Sequence, residues 1–193
     1  LQARALSVEV GGRLVVDDAT FTVMPRDKVG IVGRNGAGKT SLFKVLGGAT
    51  EPASGSVIRK GGFGYLPQDP KIDGSQEHRN AVQHVLSGRG VDAELERIEK
   101  LRAAMEESPN EANIERYSRA EERFRLEGGY SADSEARSLA AGLGIGEDRI
   151  DLPIGVLSGG ERRRVELARI LFAGSDVLCL DEPTNHLDID PKT

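Results

Sequence analysis

The chain has 193 residues, 38% hydrophobic and 30% charged, enough for one good core with an appended subdomain and typical of a soluble globular protein. The net charge of −5 argues against a broadly basic nucleic-acid face, no apolar run approaches membrane-spanning length, and the first twenty residues are too charged for a signal peptide. The single Cys179 excludes an internal disulfide and fits a reducing cytoplasm.

Residues 5–10 alternate weakly and read as a strand. Gly11-Gly12 is a turn, residues 14–16 begin the return, and 21–23 is a further strand candidate before Pro25. The opening therefore predicts a small antiparallel sheet. An apolar strand is predicted at 29–32, followed by Gly33-Arg34-Asn35-Gly36-Ala37-Gly38-Lys39-Thr40 and a helix with Leu42, Phe43, Val45 and Leu46 on its buried face. This is the G-x-x-x-x-G-K-[ST] pattern in its strand, loop, helix setting. Glycines let successive backbone N–H groups face one concavity, because no Cβ blocks the approach. The helix start, through Ser41, adds free donors and partial positive charge. Lys39 brings a mobile cation for terminal phosphates, and Thr40 offers a hydroxyl to a Mg²⁺ already carrying nucleotide oxygens.

Short strands are predicted at 57–58 and 63–66, and Gln68 follows the second. From 77 to about 142 the pattern turns helical. Leu95, Ile98, Leu101 and Met105 form one apolar stripe, Ile114, Tyr117 and Phe124 another, and Pro109-Asn110 breaks between them. A helical hairpin is predicted near 92–127, laced by Glu96–Lys100, Glu115–Arg119 and Glu121–Arg125 pairs. With 11 acidic and seven basic residues over 92–127, a solvated projection is preferred over a nucleic-acid arm.

Leu157-Ser158-Gly159-Gly160-Glu161 opens the next helix, with Ser158 and Glu161 at capping-box spacing. Two glycines directly after the cap exceed what capping needs and suit a close approach. Val165, Ala168, Leu171 and Phe172 are the expected buried face, with Arg162, Arg163 and Arg164 solvated. Val177-Leu178-Cys179-Leu180 reads as a central buried parallel strand, followed at once by Asp181 and Glu182. In an open parallel sheet, ligands gather beyond the carboxyl ends of strands, so the glycine loop and these two acids share one edge. A metal-binding Asp with a second acid there suits Mg²⁺-dependent phosphoryl transfer.

Taken together, the 33–40 loop, Gln68, the Leu157–Glu161 signature, the 177–182 strand with its acids, and Pro183-Thr184-Asn185-His186-Leu187-Asp188 resemble an ATP-binding cassette (ABC) domain over nearly the whole chain. The Asn185-His186 pair, Gly160-Glu161-Arg162-Arg163-Arg164-Val165, and the 123–144 stretch are similar to the ABC-F proteins, soluble tandem-cassette factors that act on the ribosome. The resemblance implies an α/β phosphate-loop core with a mostly parallel sheet, an antiparallel N-terminal β subdomain and an inserted helical subdomain at about 75–156. The absence of an initiator Met reads as an excised fragment, the first cassette, ending at Thr193 before the family's switch histidine.

By resemblance, ATP and Mg²⁺ are the ligands. Gly33, Arg34, Asn35, Gly36, Ala37, Gly38, Lys39, Thr40 and Ser41 hold phosphates, and Thr40, Gln68 and Asp181 attend the metal. Glu182 is the general base. Ser158, Gly159 and Gly160 contact ATP held by an opposing cassette, with Asp188 lining the same interface. Val10 stands where the family usually stacks an aromatic ring on adenine. The expected partners are a second cassette, in the same full-length chain or a fragment dimer, and the ribosome with its rRNA and tRNA; no membrane domain is expected. The ATPase motor of a membrane transporter is the alternative. The fragment alone is expected to bind ATP and hydrolyse it poorly.

Overall fold

Gly11 and Gly12 both take left-handed backbone, φ 58° and 79°, which closes a tight hairpin between β1 (Gln2–Val10) and β2 (Arg13–Thr22). The computed structural model describes residues 1–68, 70, 74 and 77–182; Asp188 and the rest of the 183–193 stretch lie outside them. β3 (Ser54–Ile58) pairs with the other edge of β1, giving an antiparallel sheet in the order β2-β1-β3. The two strands expected at 14–16 and 21–23 are one continuous β2. The weak alternation of β1 has a physical cause. Ala5 sits at φ 46° where the register shifts, so Ala3, Leu6 and Val8 all turn inward despite their spacing. They pack on Leu42, Val45 and Leu46 of α1 (Lys39–Gly47). Each of the buried leucine and valine side chains contributes about 2 kcal/mol, which seats the helix behind the glycine loop.

β4 (Phe63–Leu66) and β5 (Val177–Leu180) pair in parallel, from Phe63↔Val177 to Leu66↔Leu180. The Gly62 N–H donates to the Asp176 carboxylate at 2.7 Å and fixes where the pairing begins. Cys179 is buried, and that burial pushes its thiol up to about 11. Leu178, on the opposite face, is 38% exposed, so β5 is covered on one face rather than both. The strand expected at 29–32 takes no ladder partner among the described residues, and Val32 is 98% exposed. An apolar run signals a strand, but a strand needs a neighbour to share its N–H and C=O groups. These elements form one compact unit, Leu1–Asp69 with Gly174–Thr193.

Pro70–Ala173 is a second, helical unit. It contains α2 (Ala81–Leu86), α3 (Val91–Glu107), α4 (Glu111–Leu126), α5 (Gly129–Gly142), the short α6 (Glu147–Ile150) and α7 (Gly159–Phe172). Its core joins Val82, Val85 and Leu86 of α2, three alanines of α5, and Val165, Ala168 and Phe172 of α7. Ile170 takes the buried place expected for Leu171, which is 39% exposed. Arg163 is buried, so the three arginines do not share a solvated face.

The α3–α4 hairpin closes on Ile98, Ala120 and Phe124, while Ile114, assigned to that stripe from sequence, is 47% exposed. Asn110 caps α4 by accepting the Asn113 N–H at 3.0 Å. Two of the three expected ion pairs form, Glu96–Lys100 and Glu115–Arg119. Glu121 instead accepts the Tyr130 hydroxyl, and Arg123 pairs with Glu127. α2 is pinned to α7 by His84, whose Nε2 lies 2.7 Å from the Glu166 carboxylate, itself paired with Arg169. Burial works to raise the Glu166 carboxyl, but its bonds to His84 and Arg169 outweigh that and hold it below the usual carboxylate range.

Candidate functional site

The loop at 33–40 turns on two left-handed glycines, Gly36 at φ 79° and Gly38 at φ 90°. The Ala37 N–H donates to the Arg34 carbonyl at 3.0 Å, and the first bond of α1 runs from the Leu42 N–H to the Gly38 carbonyl at 2.9 Å. Gly38 is the N-cap of α1 and supplies no side-chain cap. The N–H groups of Lys39, Thr40 and Ser41 therefore open the helix with their intrahelical partners missing, which makes a ready anion site. Lys39 folds over the loop, its Nζ donating to the carbonyls of Gly33 (2.8 Å) and Arg34 (3.2 Å). The ammonium is thus parked on the loop rim, held by neutral acceptors that an anion would displace.

Val15 of β2 was not singled out from sequence. A Cβ on Gly38 would lie 2.5 Å from its Cγ2. The glycine is needed here for two reasons, the left-handed backbone and this close approach. Gly38→Ala is expected to destabilise the loop by more than the ~1–2 kcal/mol of left-handed strain alone, seen as a fall in nucleotide affinity with α1 still folded. Val10, at the end of β1, pairs with Arg13 and is 47% exposed, an apolar surface on the same hairpin.

Asp181 and Glu182 directly follow β5. Asp181 is 1% exposed, and its N–H donates to the Leu66 carbonyl at 3.0 Å. Glu182 takes φ 47°, a left-handed conformation that a residue with a Cβ adopts only under constraint. Because Leu66 pairs with Leu180, Gln68 leaves β4 at the same sheet edge as these acids. Tyr65, diagonal to Asp181 across the ladder, was also missed from sequence. Burial first, and then the Asp181 carboxylate, push its hydroxyl up to about 12, so it stays neutral. A cavity of about 1290 Å³ is lined by residues 26–31, by Lys39 and by residues 176–182, so Lys39, Asp181 and Glu182 share one space.

The residues fit a triphosphate: a mobile ammonium and a carboxylate pair line this cavity, and Lys39 is also the first residue of the uncapped helix start. Thr40, Gln68 and Asp181 offer the hard oxygen donors Mg²⁺ takes. Among the described residues no group of three His, Cys, Asp or Glu side chains is arranged to hold a metal.

In the helical unit, Ser158 caps α7 with the full reciprocal pattern. Its Oγ accepts the Glu161 N–H at 3.3 Å, and the Glu161 carboxylate accepts the Ser158 N–H at 2.7 Å. Gly159 leaves open space where a Cβ would stand. Arg149 of α6 grips Glu161 with two bonds, 2.7 and 3.0 Å. Its hydrogen bonding holds the Glu161 carboxyl down to about 2.

A protein-family model described as ABC transporter matches residues 16–185. The tylosin resistance ATP-binding protein TlrC of Streptomyces fradiae is 38% identical over 181 residues, covering 91% of this chain and 33% of that protein. The energy-dependent translational throttle protein EttA of Haemophilus influenzae is 34% identical over 188 residues, covering 92% of this chain and 32% of that protein. The chain thus spans about a third of the length of these curated relatives. A solved ATP binding subunit of an ABC transporter superposes with a TM-score of 0.67 over 97% of this chain and 68% of its own, at 20% identity, which speaks for the fold. No described helix is long and apolar enough to cross a membrane. From the glycine loop, the paired acids after β5 and the capped Ser-Gly-Gly turn, and from this match over most of its length, the chain belongs to the ATP-binding cassette family, and its relatives are of the ABC-F type.

Proposed function

We propose that the chain is the first cassette of a longer, cytoplasmic two-cassette protein that binds and hydrolyses ATP, and that closure of the cassettes on ATP gates an activity on the ribosome. The observation that carries the reading is the shared cavity of Lys39, Asp181 and Glu182 beside an uncapped helix start. The loop N–H groups and Lys39 bind the phosphates and orient the terminal one. Thr40, Gln68 and Asp181 would hold the metal, and Tyr65 stays a neutral neighbour of Asp181. Bound Mg²⁺ supplies charge neutralisation on the transferring phosphoryl group. Glu182 takes the proton of the attacking water. Ser158, Gly159 and Gly160 cover the phosphate held by the second cassette, and ATP joins the pair until hydrolysis releases it.

The ribosomal part rests on the relatives, one of which is named for translational throttling and another for resistance to tylosin. The transporter-motor reading draws on solved neighbours whose 20% identity supports the fold alone. Co-sedimentation of the full-length protein with ribosomes tests the proposal. Retention with ATP and release with ADP is the expected result, and equal binding in both states contradicts it.

A further inference from the structure

Glu161 gives the first turn of α7 an awkward charge. Its carboxylate is a good cap for the Ser158 N–H, yet a full negative charge at a helix start repels any phosphate approaching the same N–H groups. Arg149 answers that charge. Its Nε and Nη2 meet the two carboxylate oxygens as a fork, and the Glu161 side chain is 15% exposed against 35% for Arg149. The pair leaves the other donors of the turn available. Ser158 Oγ accepts the Glu161 N–H, and its hydroxyl also bonds the Glu161 carboxylate, an acceptor that a phosphate would replace. Nothing in the sequence singles out Arg149. It lies in a short helix of mixed charge, 12 residues before its partner.

We propose that Arg149 is a positioning residue for the Ser158-Gly159-Gly160 turn. It holds Glu161 in the cap and cancels its charge, so that the turn presents only donors to a triphosphate. This rests on the reading that the turn closes on ATP carried by the second cassette. The division of labour is specific. Glu161 organises the backbone, Arg149 removes the electrostatic penalty of using an acid to do so, and Ser158 with the glycine N–H groups makes the contact. A glutamine in place of Glu161 keeps the cap without the charge and makes Arg149 dispensable.

The test uses the full-length two-cassette protein with Glu182→Gln, which keeps ATP bound, and labels on the two cassettes to read closure as a change in distance against ATP concentration. Arg149→Gln is expected to raise the ATP needed for half-closure about tenfold, with nucleotide binding to the 33–40 loop unchanged. Adding Glu161→Gln to Arg149→Gln is expected to return closure to within about twofold of the parent. A purely structural loss would not be repaired by deleting the carboxylate. The proposal is overturned if Arg149→Gln closes normally, or if the double variant stays as impaired as Arg149→Gln. Ser158→Arg separates the two layers. If blocking the turn itself leaves closure intact, the cassette-closure reading fails and this inference falls with it; if Ser158→Arg blocks closure while Arg149→Gln does not, only the role of Arg149 fails.

Discussion

Glu182→Gln in the full-length protein is expected to lower ATP turnover by about 10²–10⁴-fold while ATP remains bound, the range a positioned general base contributes. The residue sits directly after β5 in a left-handed conformation and lines the same cavity as Lys39 and Asp181. The amide keeps the shape and the backbone, so the cavity and the Asp181 N–H bond to Leu66 are untouched. It cannot accept a proton from water at neutral pH, so the loss should fall on kcat rather than on nucleotide affinity. Single-turnover hydrolysis alongside equilibrium binding of a fluorescent ATP analogue separates the two. Normal turnover in the variant would remove Glu182 from the base role.

Lys39→Ala is expected to show the opposite split. The ammonium rests on the Gly33 and Arg34 carbonyls, and its bonds are to the loop alone among the described residues. Removing it takes no packing from the core of Leu42, Val45 and Leu46, so the fold should hold. What is lost is a charge-assisted contact worth about 1.5–3 kcal/mol, or roughly 10- to 150-fold in affinity. Titration with the same analogue measures it, with the thermal unfolding midpoint as the control. Unchanged affinity would mean that the parked ammonium never transfers to phosphate.

The parts legible in the sequence were those whose chemistry is local. The 33–40 loop announces itself because glycine, lysine and threonine must stand at fixed offsets to build one concavity. The capping box of Ser158 and Glu161 spans four residues and was realised as read. Asp181 and Glu182 stand out because a run of apolar residues ends on them. Contacts made across the chain were not legible. Val15 touches the loop through a hairpin, His84 meets Glu166 from 82 residues away, and Arg149 reaches Glu161 from a separate helix. No period or spacing encodes such pairs. The 29–32 segment fails for a different reason. Its composition favours a strand, but pairing is a property of two segments, and composition describes only one.

The most direct measurement is the structure of the full-length Glu182→Gln protein with Mg·ATP. The terminal phosphates are expected on the N–H groups of residues 36–41, with Lys39 Nζ moved from the Gly33 and Arg34 carbonyls onto phosphate oxygen and Asp181 facing the metal. A loop without nucleotide, with Lys39 still bound to those two carbonyls under saturating Mg·ATP, would contradict this placement.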